Sequence, residues 1–431
     1  MRVLITGAYG LIGAGCLSRL RLEGHDLVGA GRNIAEARRR FPYAHWIPAD
    51  FEKVTTPESW HERLVGIDAV VNCVGALQNG LRDDLRRVHV DAPAALFTAC
   101  EQKGVRRVVH ISAIGAGPRG ATAFARTKGD SESDLAARDL DWIILRPGLV
   151  LAHGVYGGTA LVRAAAAVPF VTLIPAAKPI HIVAIEDVVE TVAWALRPDA
   201  PGRVTLDLGH PEPKTLAVII TGYRDWLGLR PQSVVTVPSL VTSVTARAAD
   251  ALSWLGWRSP IRTSAIRQLA DGINGNPAGW IATTGITPKS LDDVLAISPA
   301  TVQDRWFARL YLIKPLAIAV LAAFWIMTGL IALGPGWDGA KLILRIAGAN
   351  AMTASIAVSI GAIIDIVLGV AIIIRRTCRA ALIATLAISL GYVAAGTIAT
   401  PHLFVDPLGS ILKIFPLMLA TLFVLSILDE R

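Results

Sequence analysis

The sequence predicts an α/β fold, a doubly wound parallel sheet with a small substrate lobe, plus a C-terminal four-helix transmembrane bundle. Three observations predict it. The chain opens on a short apolar run, a glycine-rich turn and a helix-like stretch, in that order. Further apolar runs of strand length then alternate with helix-like stretches, which gives a parallel sheet covered on both faces. After Tyr311 four long apolar runs follow: Pro315–Leu333, Ala351–Ile374, Ala380–Thr400 and Pro407–Leu428. A helix of about 20 residues spans a hydrocarbon core of about 30 Å.

Composition agrees. Of 431 residues, 53% are hydrophobic and 18% are charged, which excludes a disordered chain. Cys16, Cys73, Cys100 and Cys378 lie far apart with no CxxC pair. That spacing argues against a disulfide scaffold or a zinc site, and no metal is expected. Lys and Arg outnumber Asp and Glu by 42 to 34, a net charge of +8. In so apolar a chain this excess marks the cytoplasmic faces of membrane helices, and nucleic acid is not expected as a partner.

The first element is Val3–Thr6, a buried-strand run. Gly7, Ala8, Tyr9, Gly10, Leu11, Ile12 and Gly13 form the turn, and Ala14–Glu23 reads as the helix. Strand, glycine turn and helix make a phosphate-binding geometry. Gly7 permits the tight turn, Gly10 lets backbone amides approach a pyrophosphate at the positive helix N-terminus, and Gly13 lets helix and strand pack closely. Asp26–Ala30, His45–Pro48, Ala69–Val74, Arg107–Ser112 and Asp141–Leu145 read as strands two to six. A ligand binds beyond the carboxyl ends of such strands. This gathers the glycine turn, Arg32, Asp50, Val74, Gly75, Ser112 and Pro147 at one crevice. The end of strand two carries Arg32 and no acid, which favours NADP over NAD, because a guanidinium pairs with a 2′-phosphate.

Residues 211–310 carry the aromatic–basic phrases around Trp226, Trp254, Trp257 and Trp306. Trp and Arg together suit the headgroup layer, so this segment reads as a small lobe resting on the bilayer. Core packing is an equal alternative for Trp226 and Trp254. The expected division is therefore 1–210, 211–310 and 311–431. Arg305, Arg309 and Lys314 precede the first span, and Arg375, Arg376 and Arg379 follow the second. Two crossings return the chain to one side, so these clusters predict both termini on the cytoplasmic face of an inner membrane. The opening residues do not read as a signal peptide. Asp365 is the one acid within a span. It is expected to face the bundle, in a structural hydrogen bond or in contact with a proton or a quinone headgroup.

The phrases Thr6–Gly13, Asn72–Gly75, His110–Ala113 and Leu145–Gly148 resemble the extended and atypical short-chain dehydrogenase/reductases, Rossmann-fold proteins that bind NAD(P). The likeness is nearest to the branch containing the nucleotide-binding accessory subunit of respiratory complex I. It implies that Asp50 and Phe51 lie beside the adenine, that Val74 and Gly75 line the cofactor, and that Lys128 holds the nicotinamide ribose. It also implies a catalytic role for Lys128 and Ser112. The family's tyrosine position holds Phe124, which has no proton to exchange. His153 and Tyr156 are conceivable substitutes. Asp187, ahead of Val188–Leu196, reads as a helix N-cap. The last third, with Tyr311–Pro315, Asp365–Gly369 and Pro401–Gly409, resembles the DoxX-like membrane domains.

Three functions stay open at this point. One is an NADP-dependent oxidoreductase acting on a lipophilic carbonyl or quinone. The second is a non-catalytic, nucleotide-stabilised membrane assembly or partner protein. The third is a nucleotide-sugar epimerase or dehydratase.

Overall fold

The computed structural model describes residues 1–431 apart from 81–82, 156, 174–177, 232, 237, 258–260, 408 and 430–431. The chain divides into two units, Met1–Asp250 with Ser259–Ala308, and Ala251–Arg258 with Arg309–Arg431.

The first unit is built on a seven-stranded sheet in which every pairing is parallel. Its strands are β1 (Arg2–Thr6), β2 (Asp26–Gly31), β3 (His45–Pro48), β4 (Ala69–Asn72), β5 (Arg107–Ile111) and β6 (Asp141–Pro147). After β7 (Leu149–Leu151), β8 (Phe170–Leu173) and β9 (Ile182–Ala184), the seventh member is β10 (Val204–Leu208). The order is β10-β6-β5-β4-β1-β2-β3, so the direction of winding reverses between β1 and β4. Loops diverge there and leave a crevice. Two small parallel pairs, β7 with β9 and β8 with β11 (Ser233–Thr236), complete the strands.

Parallel strands are buried on both faces and read as continuous apolar runs. Leu4, Ile5, Val70, Val71, Val108 and Val109 are fully buried, each worth about 1.5–3 kcal/mol of transfer free energy. On one face pack α1 (Leu11–Leu22) and, later in the chain, the helix Ile185–Ala195. The chain continues with α2 (Ile34–Arg40), the short α3 (Glu58–His61), α4 (Ala92–Lys103) and α5 (Ala123–Ala136); α4 and α5 line the other face. Next come α6 (Gly158–Ala167), α7 (Ile185–Ala195), α8 (Leu216–Trp226), α9 (Ser239–Ser253), α10 (Thr263–Asp271), α11 (Ala278–Thr284) and α12 (Leu291–Ile297).

A separate small core joins α6, α8 and α12 through Val162, Ile219, Tyr223 and Leu291. At its centre the buried Arg163 pairs with Asp304 at 2.9 Å, and its guanidinium lies 4.8 Å from the Trp226 ring centre. Trp226 thus belongs to this core, whereas Trp254 is 77% exposed.

The C-terminal helices are α13 (Val302–Leu333), α14 (Trp337–Ile346), α15 (Ala351–Ile373), α16 (Arg375–Ala399) and α17 (Ile414–Ser426). Three of them are long and apolar enough to cross a membrane; α17 has 13 residues. The fourth apolar run is therefore helical only from Ile414, because Pro407 and the turn at Gly409 precede it. The first helix extends upstream of the expected span and carries Pro315 within it. Helix α14 lies between two spans where the sequence suggested only a connection. Gly369 lets α15 approach α13, since a Cβ there would sit 2.9 Å from the Ala322 carbonyl oxygen. Asp365 is buried in the bundle and accepts a hydrogen bond from the Tyr392 hydroxyl at 3.0 Å.

Candidate nucleotide and hydride-transfer site

The glycine turn joins β1 to α1. Gly7 has φ +63°, and a Cβ on it would sit 3.0 Å from the Cys73 carbonyl oxygen. A Cβ on Gly13 would lie 2.4 Å from the Gly7 carbonyl oxygen. Only bare backbone fits at either place. Gly10 donates to the Gly7 carbonyl at 2.9 Å and stands as N-cap of α1. No side chain caps that helix, and its first turn carries no acid. The first-turn amides, those of Leu11 and Ile12 among them, precede the helix's own hydrogen-bond ladder, and such an uncapped N-terminus suits an anion.

The Tyr9 hydroxyl accepts from the backbone N–H of Arg32 at 3.0 Å and of Asn33 at 3.2 Å. Tyr9 thereby fixes the β2–α2 turn that carries Arg32. The Arg32 guanidinium is half-exposed and pairs with Asp83 at 2.9 Å. Asp50 begins the loop after β3, where its carbonyl accepts from Lys53 and Val54. Phe51 is only 6% exposed and packs edge-on against Trp60 at 5.4 Å between ring centres. Its side chain is core, so only its backbone is available to a ligand.

Beyond β4 and β5 lies a buried polar cluster. Lys128, on α5, is 4% exposed and donates to the carbonyls of Ile111 at 2.8 Å and Val74 at 3.2 Å. An ammonium has three donors, so one remains. Burial pushes the Lys128 pKa down to about 8, against the pull of Glu132 one helical turn on. A Cβ on Gly75 would lie 3.6 Å from the Lys128 Nζ. Ser112 is buried beside the end of β5, and its Oγ has no hydrogen-bond partner among the described residues. The Pro147 carbonyl accepts from Ile114 at 3.1 Å and closes the far side. The structure thus brings Gly7, Val74, Gly75 and Lys128 together and sets Ser112 just past the end of β5.

Two histidines complete the cluster, and neither was legible locally. His89 Nε2 accepts from the Ala76 N–H at 3.0 Å, and its Nδ1 meets the Thr127 Oγ1 at 2.8 Å. Burial first, then Lys128 and His110, hold its pKa down to about 2. His89 is therefore neutral and serves as a strut between the Gly75 loop and α5. His110 Nδ1 meets the Asn72 amide at 3.0 Å, and Asn72 in turn accepts from the Thr6 hydroxyl at 2.6 Å. Burial, then Lys128, hold His110 well below its usual pKa as well. The Phe124 ring stands edge-on to His89 at 5.5 Å, where the family's phenol would be expected.

The other candidates fall elsewhere. The half-exposed His153 ring stands edge-on to Trp226 at 6.3 Å, at the rim of the small core. Tyr156 lies outside the described residues. Asp187 does not cap α7: Ala184 is the N-cap, and the helix begins two residues before Asp187. Its buried carboxylate instead accepts from the Lys289 backbone at 2.8 Å and pairs with the Lys289 ammonium. Among the described residues no group of His, Cys, Asp and Glu could hold a metal ion.

A bare-backbone turn at a helix N-terminus, with a buried lysine and serine past β5, defines a nicotinamide-dinucleotide protein. Residues 7–170 match the NAD(P)H-binding family, and residues 322–422 match the DoxX-like family. The chain thus joins an NAD(P)H-binding domain of Rossmann fold to a DoxX-like domain at its C-terminal side.

Among similar proteins is the 3-diazoavenalumate denitrifying reductase of a Streptomyces species. It is 27% identical over 313 residues, covering 66% of this chain and 96% of that protein. The mitochondrial protein FMP52 of Eremothecium gossypii is 30% identical over 158 residues, 35% of this chain and 67% of that protein. An uncharacterized Mycobacterium tuberculosis protein is 31% identical over 36% of this chain, a match that spans 16% of that protein's length. Solved structures share the fold. MoeE5 in complex with UDP-glucuronic acid and NAD gives a TM-score of 0.53 at 20% identity, over 69% of this chain and 97% of that one. UDP-glucose 4-epimerase of Thermotoga maritima gives 0.53 at 15% identity, over 72% and 100%.

Proposed function

We propose that the chain is an oxidoreductase of the inner (cytoplasmic) membrane, with its nucleotide domain in the cytoplasm, that reduces a lipophilic quinone using NADPH. Phe124 carries this reading. A bound nicotinamide supplies a hydride, and the choice of acceptor is then set by what becomes of the product anion. Reduction of a simple ketone leaves an alkoxide about as basic as hydroxide, whose parent water has a pKa of about 15.7. That product needs a protein acid beside it. Reduction of a quinone leaves a phenolate-like anion with a pKa of about 10, which water can protonate. The balance is NADPH, quinone and one solvent proton giving NADP⁺ and hydroquinone.

In this scheme the glycine turn and the first amides of α1 bind the pyrophosphate, Asp50 and the Phe51 backbone flank the adenine, and Arg32 exchanges Asp83 for the 2′-phosphate. Lys128 gives its spare N–H to the nicotinamide ribose, and its charge stabilises the developing oxyanion that Ser112 Oγ also faces. His89 positions the Gly75 loop. Residues 211–310 form the substrate lobe. The reductase relative, of which the chain spans nearly the full length, supports reduction as the chemistry. The epimerase alternative is weaker, because oxidising a sugar hydroxyl requires a base that Phe124 cannot supply.

Phe124 also favours one rival, a nucleotide-binding assembly or partner protein without turnover. The test is NADPH oxidation by the full chain in detergent, with a quinone and with a simple ketone, before and after Phe124→Tyr. The oxidoreductase reading expects quinone turnover in the native chain, and ketone turnover rising at least about tenfold in the variant. NADPH that binds but is oxidised by neither acceptor in either form establishes the rival.

A further inference from the structure

Two cysteines that are far apart in the chain meet in the fold. Cys16 lies on α1, one helical turn after Gly13, and is fully buried. Cys73 is the first residue past β4, and its N–H donates to the Thr6 carbonyl at 3.1 Å, which carries the β1–β4 pairing one step further. Successive side chains along a strand point to opposite faces. That of Asn72 turns to His110, whose ring packs on Phe97 of α4, so that of Cys73 turns the other way, toward α1. There it packs on the core that holds Cys16, and the Cys16 thiol is in hydrogen-bond contact with the Cys73 sulfur. That contact first, then burial, then the charge of an ionised Cys73, hold the Cys16 pKa well above its usual value.

The two thiols differ in access. Cys73 is partly exposed, beside the crevice where the winding reverses between β1 and β4. Cys16 is sealed in the core. An accessible thiol with a second thiol in contact behind it is the arrangement of a redox-sensing cysteine and its resolving partner.

The pair also straddles the glycine turn. A Cβ on Gly7 would sit 3.0 Å from the Cys73 carbonyl oxygen, and one on Gly13 would sit 2.4 Å from the Gly7 carbonyl oxygen. The end of β4, the turn and α1 are therefore stacked backbone on backbone. A disulfide bond is about 2.05 Å long, much shorter than a contact between two thiols. Closing it draws α1 toward the end of β4. With the backbones already touching at Gly7, that movement is taken up at the turn itself.

We propose that Cys73 is a thiol-modification site with Cys16 as its resolving partner, and that the disulfide between them weakens dinucleotide binding at the glycine turn. The oxidant is a low-molecular-weight disulfide. The Cys73 thiolate attacks one of its sulfurs and expels the first thiolate. The Cys16 thiolate then attacks the Cys73 sulfur of the mixed disulfide and expels the second. The protein gives up two protons and two electrons, and the reagent leaves as two thiols. In a reducing compartment such a bond is transient and serves as a sensor. The proposal uses the dinucleotide site and does not depend on the quinone as acceptor.

The test treats the full chain in detergent with bis(2-hydroxyethyl) disulfide and maps the cysteines by peptide mass spectrometry. The expected product is a Cys16–Cys73 cross-link, with Cys100, fully buried in the core on the other side of the sheet, left free. NADPH at about ten times its Kd should slow the cross-link about tenfold, by mass action. The cross-linked chain, freed of any adduct, should bind NADPH at least about tenfold more weakly in a fluorescence titration, and dithiothreitol should restore the affinity. A Cys73 that stays free, or that stops at the mixed disulfide, overturns the proposal. A cross-linked chain with unaltered NADPH affinity overturns the coupling to the glycine turn. A cross-link in a chain that binds NADPH in neither state rejects the nucleotide reading and the coupling together, and upholds the thiol pair.

Discussion

The nucleotide domain and the membrane bundle bury polar groups to different ends. Past β4 and β5, Lys128, His89, His110, Asn72 and Ser112 are all buried or nearly so, and the Ser112 hydroxyl among them has no partner in the described residues. In the bundle, Asp365 is buried as deeply but takes its hydrogen bond from one neighbour, Tyr392. The first arrangement holds donors in reserve and shifts a lysine toward neutrality. The second ties two helices together. A buried charge alone therefore does not identify chemistry.

The largest expected effect falls on the glycine turn. Gly13→Ala drives a methyl group into the Gly7 carbonyl and should weaken NADPH binding by at least about a hundredfold, roughly 2.7 kcal/mol. Fluorescence titration of the full chain in detergent measures it. Unaltered affinity would move the pyrophosphate elsewhere.

Next comes Lys128. Lys128→Met should lower kcat/KM by about 10²-fold or more while the fold persists. The pH dependence sharpens the point. In the proposed scheme the charged lysine stabilises the oxyanion, and that charge is lost as pH rises through about 8, so turnover should fall across that range. In Lys128→Arg the fall should vanish. The nucleotide-free protein should behave oppositely in stability. Its folded lysine pKa is depressed from 10.5 to about 8, so the unfolded chain binds more protons between those values, and stability rises with pH across that window.

Arg32→Ala should cost about tenfold in preference for NADPH over NADH, read from paired titrations. The smallest effect is expected in the bundle. Tyr392→Phe should lower stability by roughly 0.6 kcal/mol, with NADPH affinity unmoved. A large loss of turnover in Tyr392→Phe would break the comparison and give Asp365 a chemical role.

The two regions also differed in how much the sequence disclosed. The strands β1 to β6 were legible because parallel strands leave short apolar runs between turn residues, and β3 falls on His45–Pro48 as expected. The seventh strand escaped notice because Val204–Leu208 alternates polar with apolar residues at a sheet edge. Gly7, Gly10, Gly13 and Lys128 were legible from local order and motif. His89 was not, because its importance comes from Ala76 and Thr127, thirteen and thirty-eight residues away. Asp187 misled because an acid ahead of an apolar run suits a cap, whereas its partner, Lys289, lies over a hundred residues on. In the bundle, apolar length revealed the spans but not their ends, which Pro407 and Gly409 reset in the last helix.

The most direct measurement mixes the NADPH-loaded full chain, in vesicles, with a lipid-soluble quinone and follows the nicotinamide absorbance in a single turnover. The account predicts rapid loss of that signal at neutral pH, slowed when the transferred hydrogen of NADPH is replaced by deuterium. Bound NADPH that keeps its absorbance throughout would contradict it.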